Sequence, residues 1–227
     1  MEKETRLAPL EDACTVVLLR DGDAGLETLM LERPRSSRSF AGAWVFPGGK
    51  VDAADRVTRD GSPLDDFAAA QAAGLRELAE ETGQLLPAGE LAWLSQWTPM
   101  QVLPRRFRAW FMLAPAASDA VVLNPEEHVR HAWLSPARAL ELHGEGEMVL
   151  VPPTWVTLHN LAAMESTAQA LAAARAAEPI AYRTHLLDGS GVVWAGDEAY
   201  PDPPGGNGAR HRLTMTGLPW IYEKNGA

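Results

Sequence analysis

Strand-like runs come first, one amphipathic helix follows, and mixed strands with flanking helices complete the chain. That order predicts an α/β or α+β sandwich, with a sheet between layers of helix. Size agrees: 227 residues, 46% of them apolar, suffice for a substantial buried core as one domain with appendages. No internal repeat is visible.

The runs Thr15–Arg20 and Thr28–Arg33 flank Asp21-Gly22-Asp23-Ala24-Gly25, the pattern of a hairpin. A polar loop over Arg33–Ala43 leads to a short strand at Trp44–Phe46, and Val51–Asp66 is an acidic loop punctuated by Gly and Pro. A helix is predicted from Asp66 to Thr82, capped by Asp65 or Asp66 and stopped by Gly83. Ala68, Ala72, Leu75 and Ala79 recur at helical spacing and form its predicted buried stripe. Strands are expected near Leu91–Trp97, Phe107–Leu113 and His128–Leu134. Ser135-Pro136 opens a short helix and Pro152-Pro153-Thr154 a longer one reaching Ala177. From Ile180 the chain turns to short β segments, with a turn at Asp188–Gly191 and a Pro/Gly loop at Pro201–Gly208.

A net charge of −10 argues against duplex nucleic acid or an anionic membrane as the main partner, since both favour a basic face. The lone cysteine, Cys14, excludes an internal disulfide and fits a reducing compartment, so a cytoplasmic location is expected. No signal-like segment follows Met1, and no run approaches eighteen uncharged apolar residues.

The stretch from Arg76 to Gly83 carries the chemistry. On a helix, Glu77, Glu80 and Glu81 share one face at i, i+3 and i+4. Like charges at that spacing oppose one another by about 0.2–0.5 kcal/mol per pair. A hard divalent cation reverses that cost, because carboxylate oxygens suit it. Upstream, Trp44-Val45-Phe46 runs into Pro47-Gly48-Gly49, where the backbone turns tightly and exposes carbonyls.

Together these segments resemble the Nudix box of the Nudix hydrolases, G-x5-E-x7-R-E-U-x-E-E-x-G-U with U apolar. Gly49, Arg76, Glu77, Leu78, Glu80, Glu81 and Gly83 match. Arg76 follows Gly49 by 27 residues where the pattern has 14, an insert of 13 within Val51–Asp66. Counted back from Arg76, Ala68 stands where the first Glu belongs, with Asp65 or Asp66 as candidate substitutes, and Gln84 stands at an apolar position. The long insert is most similar to the branch that includes coenzyme A diphosphatases.

The resemblance implies a Nudix α/β/α sandwich with a mixed sheet over roughly Ala13–Leu161. The domain is placed at residues 1–178, with a β-rich extension at 179–227 packed on it. It implies hydrolysis of the phosphoanhydride of a small nucleoside diphosphate linked to X: coenzyme A, a nucleotide sugar, a dinucleotide or a nucleoside di- or triphosphate. Mg²⁺ or Mn²⁺ is the implied cofactor, held by Glu77, Glu80, Glu81 and the Gly48 carbonyl, with Arg76 orienting Glu77. Glu127, in the segment Asn124–His128, is the preferred general base, with a box glutamate such as Glu80 as the alternative. Arg38 and Arg106 are the expected diphosphate contacts, and Trp97 or Phe107 is placed beside a base pocket. The Ala68 and Gln84 departures favour the competing reading, a nucleotide sensor that does not cleave. A homodimer is admitted by family analogy only. His128 and His131 are not read as a zinc pair, because strand geometry sends them to opposite faces.

Overall fold

The computed structural model describes residues 8–37, 40–100, 103 and 105–225. Within these, the larger sheet begins with β1 (Leu10–Gly22), β2 (Gly25–Glu32), β3 (Trp44–Val45) and β4 (Gly48–Lys50). Helix α1 (Asp66–Thr82) follows, then β5 (Ala92–Thr98), β6 (Arg106–Pro115) and β7 (Arg130–Leu134). Helices α2 (Pro136–Gly144), α3 (Pro152–Leu161) and α4 (Thr167–Ala176) precede β8 (Ile180–Arg183). The sheet runs β3-β2-β1-β6-β5-β8, with β4 also paired to β1 and β7 to β2. It is mixed: β1 pairs β6 in parallel and β5 pairs β8 in parallel, while the other pairings are antiparallel. A mixed sheet with helices on its faces is the arrangement that the resemblance implies. Strand β8 gives the C-terminal segment a place in the main sheet. The rest of that segment forms an antiparallel sheet of β9 (His185–Leu187), β10 (Gly191–Val193), β11 (Arg210–Thr214) and β12 (Ile221–Asn225).

Alternation along β1 sets the layers. Cys14, Val16 and Leu18 face α1, while Val17 and Leu19 join the core on the opposite face with Trp97, Phe111, Trp155 and Trp194. Asp65 caps α1 by accepting the Ala68 amide, and Gly83 ends it at φ 71° with its own amide on Ala79 O. Both ends therefore lie where the capping residues predicted them.

The buried face of α1 differs from the expected stripe. Ala70, Ala73, Gly74, Leu78 and Glu81 are buried, while Ala68, Ala72, Leu75 and Ala79 are only half-buried. The reason is Gly74: a β-carbon there would lie 2.6 Å from Cys14 Sγ, so glycine lets the helix approach β1 closely on that side. Rotating the helix this way turns Glu77 and Glu81 inward, toward β4.

Other differences are local. Strand β7 starts at Arg130, leaving His128 in the preceding loop. The predicted long helix divides into α3 and α4, because Ser166 caps a new start by accepting the Gln169 amide while Gln169 accepts the Glu165 amide. Gln84 is buried at its expected apolar position because its amide is fully used. It donates to Ser118 O and Ala120 O and accepts from the Ala117 and Ser118 amides. The insert is stitched at its neck, where Arg56 pairs with Asp12 and Asp66, and Arg108 pairs with the same two acids. Among the described residues, no helix is long and apolar enough to cross a membrane.

Candidate active site

The glycine corner is crowded, and at Gly48 it admits no side chain. Gly48 has φ 150°, and a β-carbon there would strike the Cys14 carbonyl; one on Gly49 would strike the Glu77 carboxylate. Val16 N–H bonds Pro47 O at 2.8 Å and Val51 N–H bonds Asp12 O at 2.9 Å, with Gly49 opposite Cys14. Gly48 lies between these bonded pairs, so its amide and carbonyl sit on the edge away from β1. The amide donates to Glu81 Oε2 at 2.8 Å, which identifies that edge as the carboxylate side.

Glu81 is the centre of the cluster and only 2% exposed. Its other oxygen, Oε1, lies 2.9 Å from His128 Nε2. Burial, with the charges of Glu77 and Glu127, pushes its carboxyl up to about 8 against the lowering effect of the Gly48 amide. Burial likewise raises the Glu77 carboxyl and pushes the His128 imidazole down to about 4. Glu81 also lies in the last turn of α1, which holds no basic residue, so the negative end of the helix dipole adds to the repulsion.

Arg76 organises the other acids. It forks onto Asp55, Nε to Oδ1 at 3.0 Å and Nη2 to Oδ2 at 2.8 Å. Its Nη1 donates to Glu77 Oε1 at 3.0 Å and Glu80 Oε2 at 3.2 Å, and Nη2 also reaches Lys50 O. Asp55 accepts the Asp52 amide as well, fixing the turn after the glycine corner. Asp55 is thus the carboxylate that supports Arg76. Asp65 instead caps α1, and Asp66 pairs with Arg56 and Arg108. Counted from Gly49, Asp55 is the sixth residue, where the Nudix pattern has its first Glu, so the insert falls after it. With Asp55 in place and Gln84 satisfied, the two departures that favoured a silent sensor lose their force. Replacing Asp55 with Ala leaves the fork empty and is expected to cost about 1–3 kcal/mol of stability. Urea unfolding checks this, and Arg76→Lys, which keeps the charge but not the fork, is expected to share the loss.

The remaining predicted residues are placed as follows. Glu127 is exposed, and one of its oxygens groups with Glu81 and His128, all within 4.8 Å of one another. Glu80 lies farther out, with 55% of its side chain exposed. Arg106 donates to Ala8 O and lines a second cavity, of about 330 Å³, with Arg183 and His185. Arg38 lies outside the described residues. Asp55 and His128 were not anticipated. The six-residue step from Gly49 was a legible signal for the first; the second had none, because its strand begins two residues later.

Glu81 and Glu127 lie together, Glu77 is close enough for its charge to raise the Glu81 carboxyl, and this surplus of acidic oxygens suits a hard divalent cation. The NUDIX domain family matches residues 9–152. A zebrafish (Danio rerio) protein named m7GpppN-mRNA hydrolase NUDT17 is 37% identical over 103 residues, 42% of this chain but only 29% of that protein. A NUDIX hydrolase from Alicyclobacillus acidocaldarius superposes with TM-score 0.65 at 23% identity, covering 73% of this chain and 96% of that one. The NUDIX domain of Shewanella oneidensis NrtR, solved with ADP ribose, superposes with TM-score 0.51 at 19% identity, over 70% and 90% of the two chains. With its box residues gathered at the glycine corner and most of its length matched by the family, this chain belongs to the Nudix hydrolases.

Proposed function

We propose that the protein cleaves the phosphoanhydride of a small nucleoside diphosphate derivative with Mg²⁺ or Mn²⁺. The observation that carries this reading is Glu81: a buried carboxylate, beside two further acids, at a corner where only glycine fits. Glu77, Glu81 and the Gly48 carbonyl are the inner ligands, with Glu80 at the rim. When bound, a divalent cation neutralises the diphosphate and makes water a better nucleophile. Arg76 holds Glu77 in register with Asp55, and Glu127, exposed and next to Glu81, takes the proton from the attacking water. Glu80 is turned to Arg76 and suits the base role less well.

The rest of the substrate has a place. A cavity of about 370 Å³ lies on the sheet face opposite α1, lined by Phe46, Trp97, Phe107, Phe111 and Pro153. Thr15 lines it too and pairs with Gly48, so the cavity reaches β1 at the strand position opposite the glycine corner. Its apolar walls suit a base or another apolar moiety. Trp97 offers only one ring face, since Tyr182 stacks on the other at 3.9 Å. Ala109 is a small residue of the lining, and filling the cavity with Ala109→Phe is expected to raise KM about tenfold with a smaller change in kcat, because the lost contacts are made equally in ground and transition states. Steady-state kinetics separate the two.

Within this class, a coenzyme A-like substrate is our finer reading, resting on the long insert and the apolar cavity. The zebrafish relative is named for capped mRNA, but a net charge of −10 disfavours a long RNA here. We place the protein in the cytoplasm on the ground of its single buried cysteine. A panel of coenzyme A, ADP-ribose, dinucleotides, nucleoside triphosphates and a cap analogue, run with Mg²⁺ and with Mn²⁺ and resolved by chromatography, tests the reading. Metal-dependent cleavage of the phosphoanhydride, giving a nucleoside monophosphate or, from coenzyme A, adenosine 3′,5′-bisphosphate with 4′-phosphopantetheine, supports it; binding without turnover across the panel refutes it.

A further inference from the structure

We propose that His128 is a positioning residue that fixes the Glu81 carboxylate in its ligating orientation and locks the Glu127 loop to the same helix. The inference rests on the reading that Glu81 holds the cation.

His128 is buried, and its Nε2 lies 2.9 Å from Glu81 Oε1. Its Nδ1 is also buried and has no hydrogen-bond partner among the described residues. Of the two neutral tautomers, the one with hydrogen on Nε2 donates to Glu81 and leaves only a lone pair unmatched. The other strands a buried N–H, which costs about 1–3 kcal/mol. The same point argues against His128 as a ligand itself, because a ligating histidine normally donates its second nitrogen's hydrogen to an acceptor.

With Nε2–H on Oε1 and the Gly48 amide on Oε2, both oxygens of Glu81 receive a donor, and the remaining lone pairs have one fixed direction. The loop that carries His128 is docked at the same place. The Val122 amide donates to Thr82 O at 2.9 Å and the Asn124 amide to Glu81 O at 3.2 Å. The Gln84 side-chain amide and these backbone bonds hold the start of the loop. The imidazole is the side-chain tie at its end, one residue after Glu127. An oxygen of the acid proposed as base, an oxygen of the acid proposed as ligand and a ring nitrogen of His128 all lie within 4.8 Å of one another.

The test compares Mn²⁺ affinity, read from free-Mn²⁺ electron paramagnetic resonance, in the wild type, Glu81→Gln, His128→Leu, His128→Asn and His128→Gln, with thermal unfolding of each. Gln places an N–H near the position of Nε2; Asn is one methylene too short; Leu fills the space without a donor. Loss of the donor is expected to weaken Mn²⁺ binding about 10–100-fold in the Leu and Asn variants, with His128→Gln restored to within about threefold of wild type. Should the Leu variant not fold, the Asn and Gln pair decides alone. Wild-type Mn²⁺ affinity in the Leu or Asn variant, whatever its melting temperature, overturns the proposal. A wild type that binds no Mn²⁺, or a Glu81→Gln variant that binds as the wild type does, instead removes the ligand role of Glu81, and the proposal falls with it.

Discussion

Glu81→Gln lowers kcat by about 10³-fold, the loss expected when several kcal/mol of transition-state charge stabilisation disappear, while the fold persists. The amide oxygen still accepts from Gly48, while accepting from the new amide group takes His128 to the tautomer whose buried Nδ1–H has no partner among the described residues, at a cost of about 1–3 kcal/mol. In the metal-free protein the variant is also the more stable one above neutral pH. The sign follows from the direction of the shift. The Glu81 carboxyl titrates near 8 in the folded chain, above its ordinary value of 4.5. Its contribution is therefore fully favourable below the unfolded value and is lost as pH rises through 8. Across that window the wild type loses on the order of 4 kcal/mol that glutamine does not lose. Glu77, also raised by burial, adds in the same direction. Urea unfolding at pH 5 and pH 8.5, with chelator present, reads the difference. An equal pH dependence in the two proteins would contradict the assigned burial of charge.

Adding Mn²⁺ at pH 8 raises the melting temperature, and chelator reverses the rise. A ligand at about 100 times its dissociation constant stabilises by about 2.7 kcal/mol. For a chain of this size that corresponds to roughly 5–10 °C. The gain shrinks at pH 5, where Glu81 is protonated, and disappears in Glu81→Gln. Differential scanning calorimetry with and without Mn²⁺ at both pH values checks this. An undiminished gain in the variant would place the ion elsewhere.

Local signals made α1 legible in the sequence. Asp65 and Gly83 mark its ends by their own hydrogen bonds, and Arg76, Glu77 and Glu81 fall where the box spacing puts them. Its buried face was not legible, because apolar periodicity weights alanines alike, whereas the face is decided by how closely Gly74 lets the helix approach Cys14. Asp55 was missed by counting across an insert from the wrong end. The break between α3 and α4 was written in Ser166 and Gln169, a capping pattern hidden within an alanine-rich run. His128 belongs to a different class: its role arises from a loop folding back on the end of α1, which no local pattern encodes. The apolar cavity likewise depends on Thr184 and Val192, contributed from the far end of the chain.

The most direct measurement is anomalous diffraction at the manganese edge from a crystal soaked in Mn²⁺. A peak about 2.2 Å from oxygens of Glu81 and Glu77 and from the Gly48 carbonyl is the predicted result. Absence of density at that corner in a well-ordered soaked crystal, with the ion bound at some other group, would contradict it.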